Sequence, residues 1–198
     1  MHLLVIRHGK PDDPDPARPV DPPLSARGRW QADRVADRLA REGVGRIVAS
    51  PLKRAFATAQ PLAERTGLEI EVVDQVAEVD ARGGHYATVE MLRGRQNGDW
   101  ERFLADPVGL LGGGDTETFR ADVLSGFGQI LEGNHARKVA VFTHGIPINA
   151  LLGHVFGFPE LTRIAPYYCS ITRLAGTSLR DLQVLSINET GHFEPGEL

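Results

Sequence analysis

Apolar residues along this chain fall into two patterns that alternate. Short unbroken runs come first: Leu3 to Ile6, then Ile47 to Ala49, Ile70 to Val73 and Val139 to Phe142. Runs of this length suit parallel strands buried on both faces. Ser170 to Leu174 and Leu182 to Ile187 read as a final strand pair. Between the runs, apolar positions recur at helical spacing. Ala32, Val35, Ala36 and Leu39 predict a helix capped by Ser25. Leu52, Ala55, Phe56, Ala59, Leu62 and Ala63 predict another, with Ser50 as cap and Pro51 at its first position. Phe119, Val123, Phe127, Ile130 and Leu131 mark a third, and Ile148, Leu151, Leu152 and Val155 a fourth. Strand and helix in alternation predict an α/β fold.

Two segments break the rhythm. Lys10 to Pro23 is polar and proline-rich, and reads as loop. Asp80 to Gly114 holds Tyr86, Met91, Leu92, Trp100 and Phe103 among polar residues and glycines. It predicts one or two short helices inserted over the sheet, ending in a flexible run from Gly112 to Gly114. Such an insert serves either as a lid that sets specificity or as cover for the sheet edge. The expectation is one domain over residues 1–198, with a cap-like insertion at about 80–114.

Composition narrows the function classes. A net charge of −4 argues against a general nucleic-acid or membrane-surface binder. The single Cys169 cannot form an internal disulfide, which points to a reducing compartment. No signal-peptide pattern precedes the first strand, and no apolar run has the length of a membrane span, so a cytoplasmic protein is expected. The seven histidines lack tight ligand spacing, so neither a metal nor a cofactor is expected. Gly112 to Gly114 lacks the lysine of a nucleotide-binding phosphate loop.

The chemistry gathers where two strand runs end alike. The first run ends in Arg7-His8-Gly9 and the later one in Thr143-His144-Gly145. Ligand sites of open α/β sheets lie beyond the carboxyl ends of strands. If these strands are neighbours, His8 and His144 face each other across one crevice. Two imidazoles and an arginine there suggest phosphoryl transfer. His8 is the candidate nucleophile, its second ring nitrogen held by a backbone carbonyl. A lone histidine would be a core residue; flanked by Arg7 and Gly9 at a strand end, the functional reading prevails. Arg7 and Arg54 are candidate phosphate clamps, because a planar guanidinium binds two oxygens at once. Arg54 is placed in the first turns of its helix, off the apolar face, while adjacent Lys53 reads as solvent-facing. Arg27 and Thr58 read as structural, Cys169 as a buried thiol without a base, and His192 as surface or packing unless a tail crosses the crevice.

These motifs resemble the histidine phosphatase superfamily, also called phosphoglycerate-mutase-like, over most of the chain. Arg7-His8-Gly9 is similar to its signature. Pro23-Leu24-Ser25-Ala26-Arg27-Gly28 resembles its helix-opening segment, Ser50-Pro51-Leu52-Lys53-Arg54-Ala55 with Thr58-Ala59 its second arginine motif, and Thr143-His144-Gly145 its second histidine motif. The resemblance implies a three-layer sandwich with a mostly parallel central sheet. It also implies catalysis through phosphohistidine on His8, with a hydrogen bond from His144 to the same phosphate and close approach at Gly145. Glu78 falls where the family places its acidic residue, the candidate general acid and base. Asp74, Asp80, Glu90 and Asp115 are alternatives. The chain departs from the family at Lys10, which adds an anion contact or faces solvent, and at Pro14, where a phosphate-binding polar residue is common.

Three functions compete. The leading one is a metal-independent phosphomonoesterase of the phosphatase branch. Second comes a phosphoglycerate mutase, which generally has a longer chain. The third is a catalytically silent phosphate-binding module. The expected partner is a small phosphate ester whose identity the sequence does not specify. A homodimer is left open.

Overall fold

The computed structural model describes residues 1–13, 21–83, 85–94, 97–132, 137–194 and 196–197, without the side chains of residues 89 and 90. Pro14 and the Glu90 carboxyl therefore lie outside the described residues. Six strands form one sheet: β1 (His2–Arg7), β2 (Arg46–Ala49), β3 (Ile70–Val72), β4 (Lys138–Thr143), β5 (Ile171–Ala175) and β6 (Gln183–Glu189). Their order across the sheet is β3-β2-β4-β1-β5-β6. The first four strands of that order run parallel, and β5 pairs antiparallel with both β1 and β6. The two apolar runs that end in His-Gly are thus neighbours, at the centre.

Successive residues of a strand point to opposite faces, and the two faces bury different helices. Leu3, Val5, Val139 and Val141 join Phe119, Val123 and Phe127 of α6 (Thr116–Glu132) and Ile148 and Leu152 of α7 (Gly145–Phe156). Leu4, Ile6, Ala140 and Phe142 join Val35, Ala36 and Leu39 of α1 (Ala26–Ala40) and Ala59 and Leu62 of α2 (Lys53–Thr66). The result is helices, sheet, helices: an α/β three-layer fold with a mostly parallel sheet.

Local chemistry sets the helix ends. Ser25 caps α1 as expected, its Oγ accepting the Gly28 N–H at 3.0 Å. Ser50 does not cap α2, which begins at Lys53 with Leu52 as N-cap, so Pro51 stands outside the helix. The first α2 N–H, on Lys53, instead finds the Asp21 carboxylate at 2.9 Å, supplied by the loop after β1. Gly67 ends α2 in the left-handed region at φ 70°.

The insert holds three short helices rather than one or two: α3 (Val89–Gly94), α4 (Asp99–Ala105) and α5 (Pro107–Leu110). Its glycine run forms a packed turn. Gly112 and Gly114 take positive φ, and a Cβ on Gly113 would lie 2.2 Å from the Val79 side chain.

A close backbone crossing joins the β1 end to α1. A Cβ on Gly9 would sit 2.6 Å from the Gly28 carbonyl oxygen, and one on Gly28 only 2.0 Å from that of Lys10. Both obstacles are backbone, so neither can swing aside. Gly28→Ala is expected to lower the unfolding free energy by about 2 kcal/mol or more, measured by denaturant unfolding against wild type.

Candidate active site

The β1–β4 register pairs Arg7 with Thr143, so His8 and His144 each stand one residue beyond the paired strand ends. The His8 N–H donates to the Thr143 carbonyl at 2.9 Å, extending the ladder by one bond. The two imidazole rings lie 5.0 Å apart, centre to centre. His8 Nδ1 lies 2.7 Å from the Gly9 carbonyl oxygen. A carbonyl only accepts, so Nδ1 carries the proton and Nε2 keeps its lone pair. Burial, then Arg54 and Arg7, push the His8 pKa well below the ordinary imidazole value. The ring is neutral.

The loop that carries His8 is pinned from α2. The Gly9 N–H donates to Thr58 Oγ1 at 2.9 Å, and that hydroxyl donates to the Arg54 carbonyl at 2.6 Å. Thr58 is structural, as expected, but it links the nucleophile candidate directly to the turn that presents Arg54.

Arg54 is fully buried, on the same face of α2 as Ala55, Thr58, Ala59 and Leu62. It therefore does not lie off the packed face, as apolar spacing alone indicates. What makes its burial tolerable is Asp80, whose carboxylate accepts from both terminal nitrogens at 2.8 and 3.0 Å. Asp21 adds a second carboxylate at 3.6 Å, and the guanidinium lies 5.0 Å from the centre of the Tyr86 ring. Burial opposes the charge on Arg54, but the bonds to Asp80 more than offset it. Arg7 donates to the Pro166 carbonyl at 2.6 Å and stacks 4.0 Å over Tyr168.

Glu78 is half-buried and ends in the same place. Its carboxylate accepts the Val79 N–H at 3.1 Å and the Ile146 N–H of α7 at 3.3 Å. Burial, reinforced by the nearby Asp80 charge, raises its pKa from 4.5 to about 7. Of the alternatives, Asp80 is spent on Arg54, and Asp74 and Asp115 are exposed and lie off the cavity.

One cavity of about 520 Å³ takes in Arg7, His8, Arg54, Glu78, Asp80 and Gly145. His144 lies behind this wall, wholly buried, with Nε2 2.8 Å from Ser50 Oγ. Ser50 thus links His144 to the entry of α2, where its Oγ also accepts the Leu52 N–H at 3.3 Å. Gly145, the first residue of α7, leaves the wall open, since a Cβ there would meet no atom within 4 Å. Lys10 is exposed and off the cavity, so it faces solvent. Arg27 stacks on Trp30 and bonds the Glu197 carbonyl, and His192 packs on Phe193, both away from the cavity. Cys169 is buried, and burial raises its thiol pKa.

Among the described residues, three buried nitrogens of these site side chains have no hydrogen-bond partner: Arg7 Nε, Arg54 Nε and His144 Nδ1. Buried donors are rarely left unpaired, and a cluster of them marks a place for an acceptor. The acceptor that suits two guanidiniums and an imidazole is an oxyanion. The pattern that defines the histidine phosphatase superfamily (branch 1) matches residues 3–190. The chain belongs to this superfamily. Within it, the chain is 27% identical to phosphoserine phosphatase 1 of Hydrogenobacter thermophilus, over 98% of this chain and 94% of that one. It is 26% identical to the probable phosphoglycerate mutase GpmB of Salmonella paratyphi A, over 88% and 84%. The fold is that of the mycobacterial glucosyl-3-phosphoglycerate phosphatase, with TM-score 0.76 at 24% identity over 96% and 99% of the two chains.

Inorganic phosphate at about 100 times its Kd is expected to add about 2.7 kcal/mol to the unfolding free energy. The measurement is a rise in melting temperature, and Arg7→Ala should abolish it.

Proposed function

We propose that this histidine phosphatase is a metal-independent phosphomonoesterase that works through a phosphohistidine on His8. The observation that carries the reading is the bond from His8 Nδ1 to the Gly9 carbonyl, which leaves a neutral, correctly oriented tautomer with its Nε2 lone pair free. That nitrogen attacks phosphorus as the bond to the ester oxygen breaks. Glu78, protonated, gives its proton to the departing alkoxide. The alcohol leaves, and the Glu78 carboxylate then takes a proton from water. The water oxygen attacks phosphorus, the nitrogen–phosphorus bond breaks, and inorganic phosphate leaves with His8 and Glu78 restored.

Arg7, Arg54 and His144 bind the equatorial oxygens throughout. Charge spread over those oxygens is what fixed donors stabilise best. Asp80 takes one N–H from each terminal nitrogen of Arg54, and each of those nitrogens carries a second N–H to offer the phosphate. The 80–114 segment acts as a cap on this site within a single domain, and supplies Asp80 to it. The relatives named for phosphoserine and for glucosyl-3-phosphoglycerate support ester hydrolysis, and the probable mutase relative marks the competing outcome.

The test is hydrolysis of para-nitrophenyl phosphate in EDTA. Wild type should turn over, and His8→Ala should lose at least about 10³-fold in kcat, as expected when the nucleophile is removed. Interconversion of 2- and 3-phosphoglycerate that depends on a bisphosphoglycerate primer would favour the mutase instead. Since Glu78 acts first as an acid, activity should fall as pH rises through about 7, the pKa of its carboxyl. Glu78→Gln should flatten that limb while lowering turnover. An unchanged profile in the variant would remove Glu78 from the role.

A further inference from the structure

The cavity is larger than its phosphate centre needs, and the two parts differ in character. Around His8 the walls are charged. The rest of the lining includes Trp100, Phe103 and Leu104 of α4 and Leu161 and Tyr167 before β5, with His85, Thr88 and Arg93 among them. At about 520 Å³ the space falls within the range of about 300–1,000 Å³ that accommodates ligands of drug size.

Two features distinguish this part of the lining. Leu104 and Tyr167 are 42% and 55% exposed, two of the five large apolar side chains so exposed among the described residues, and both line this cavity. Trp100 is held flat as well. It stacks on Phe103 at 5.9 Å, and the exposed guanidinium of Arg93 lies 4.5 Å over the Trp100 ring. A serine or glycerate body bound at the phosphate centre would leave these walls in water.

We propose that the esters this site takes are phosphate monoesters of an alcohol bearing an aromatic ring, the ring seated between the α4 face and Tyr167. The proposal rests on the phosphatase reading above and adds the substrate class to it. Covering exposed apolar walls stabilises the bound complex in proportion to the area withdrawn from water. Offset or edge-on contact with Trp100 and Tyr167 would add to that gain.

The experiment compares primary-alcohol esters, so that leaving-group chemistry stays matched: 2-(1-naphthyl)ethyl phosphate, ethyl phosphate, O-phosphoserine and 3-phosphoglycerate. The naphthyl ester should exceed the other three in kcat/KM by about tenfold or more, the scale of burying one aromatic ring. Tyr167→Ser changes an exposed side chain, and should lower the ratio of naphthylethyl to ethyl kcat/KM several-fold. Trp100→Ala should lower it further. Higher kcat/KM on phosphoserine or 3-phosphoglycerate would overturn the substrate class alone, as would an unchanged ratio in both variants. No turnover of any of the four esters would overturn the phosphatase reading, and the substrate class with it.

Discussion

The site depends on one strand pairing. β1 and β4 lie side by side, parallel and in register to their last residues, so both chains leave the sheet at the same height. Each exits through His-Gly, and the two imidazoles come to rest 5.0 Å apart without any long-range search by loops. A slip of one residue would send each side chain to the opposite face. The register is protected by burial on both sides: alternate residues of Leu3–Ile6 and Val139–Phe142 face α6 and α7 or α1 and α2, and all eight are apolar.

Around that pairing the protein assembles donors from four directions. β1 brings Arg7, α2 brings Arg54, the β4 exit brings His144, and the turn after β3 brings Glu78. Thr58 and Ser50 tie these contributors together, one to the His8 loop and the other to His144. In the proposed reaction such support holds the reacting groups in place before substrate arrives, which is where preorganised catalysis obtains its advantage.

Much of this was visible along the chain, and the exceptions are instructive. The strand runs, the Ser25 cap and the two His-Gly exits are local patterns, and local pattern suffices for them. Ser50-Pro51 has the form of a helix start, yet the helix begins at Lys53, and the serine hydroxyl, which accepts the Leu52 N–H, also meets His144, 94 residues away in sequence. Apolar periodicity placed Arg54 off the packed face because it counts only apolar side chains; the Asp80 carboxylate that allows its burial comes from a different element. Likewise, Asp80 read as one of several acidic candidates until the pairing with Arg54 separated it from Glu78. Three helices in the insert, where one or two were expected, follow from turns at Gly98 and Asp106 too short to show in an amphipathic pattern.

The crowding of carboxylates beside the phosphate centre has a consequence for how an anion arrives. Asp21, Asp80 and Glu78 already surround Arg54, and burial lifts the Glu78 carboxyl to about 7. A dianion entering this enclosure strengthens the hold of Glu78 on its proton. Anion capture and proton uptake are therefore one thermodynamic event. On the proposed function, binding above about pH 7 is coupled to proton uptake at Glu78, so affinity for the dianion weakens as pH rises further.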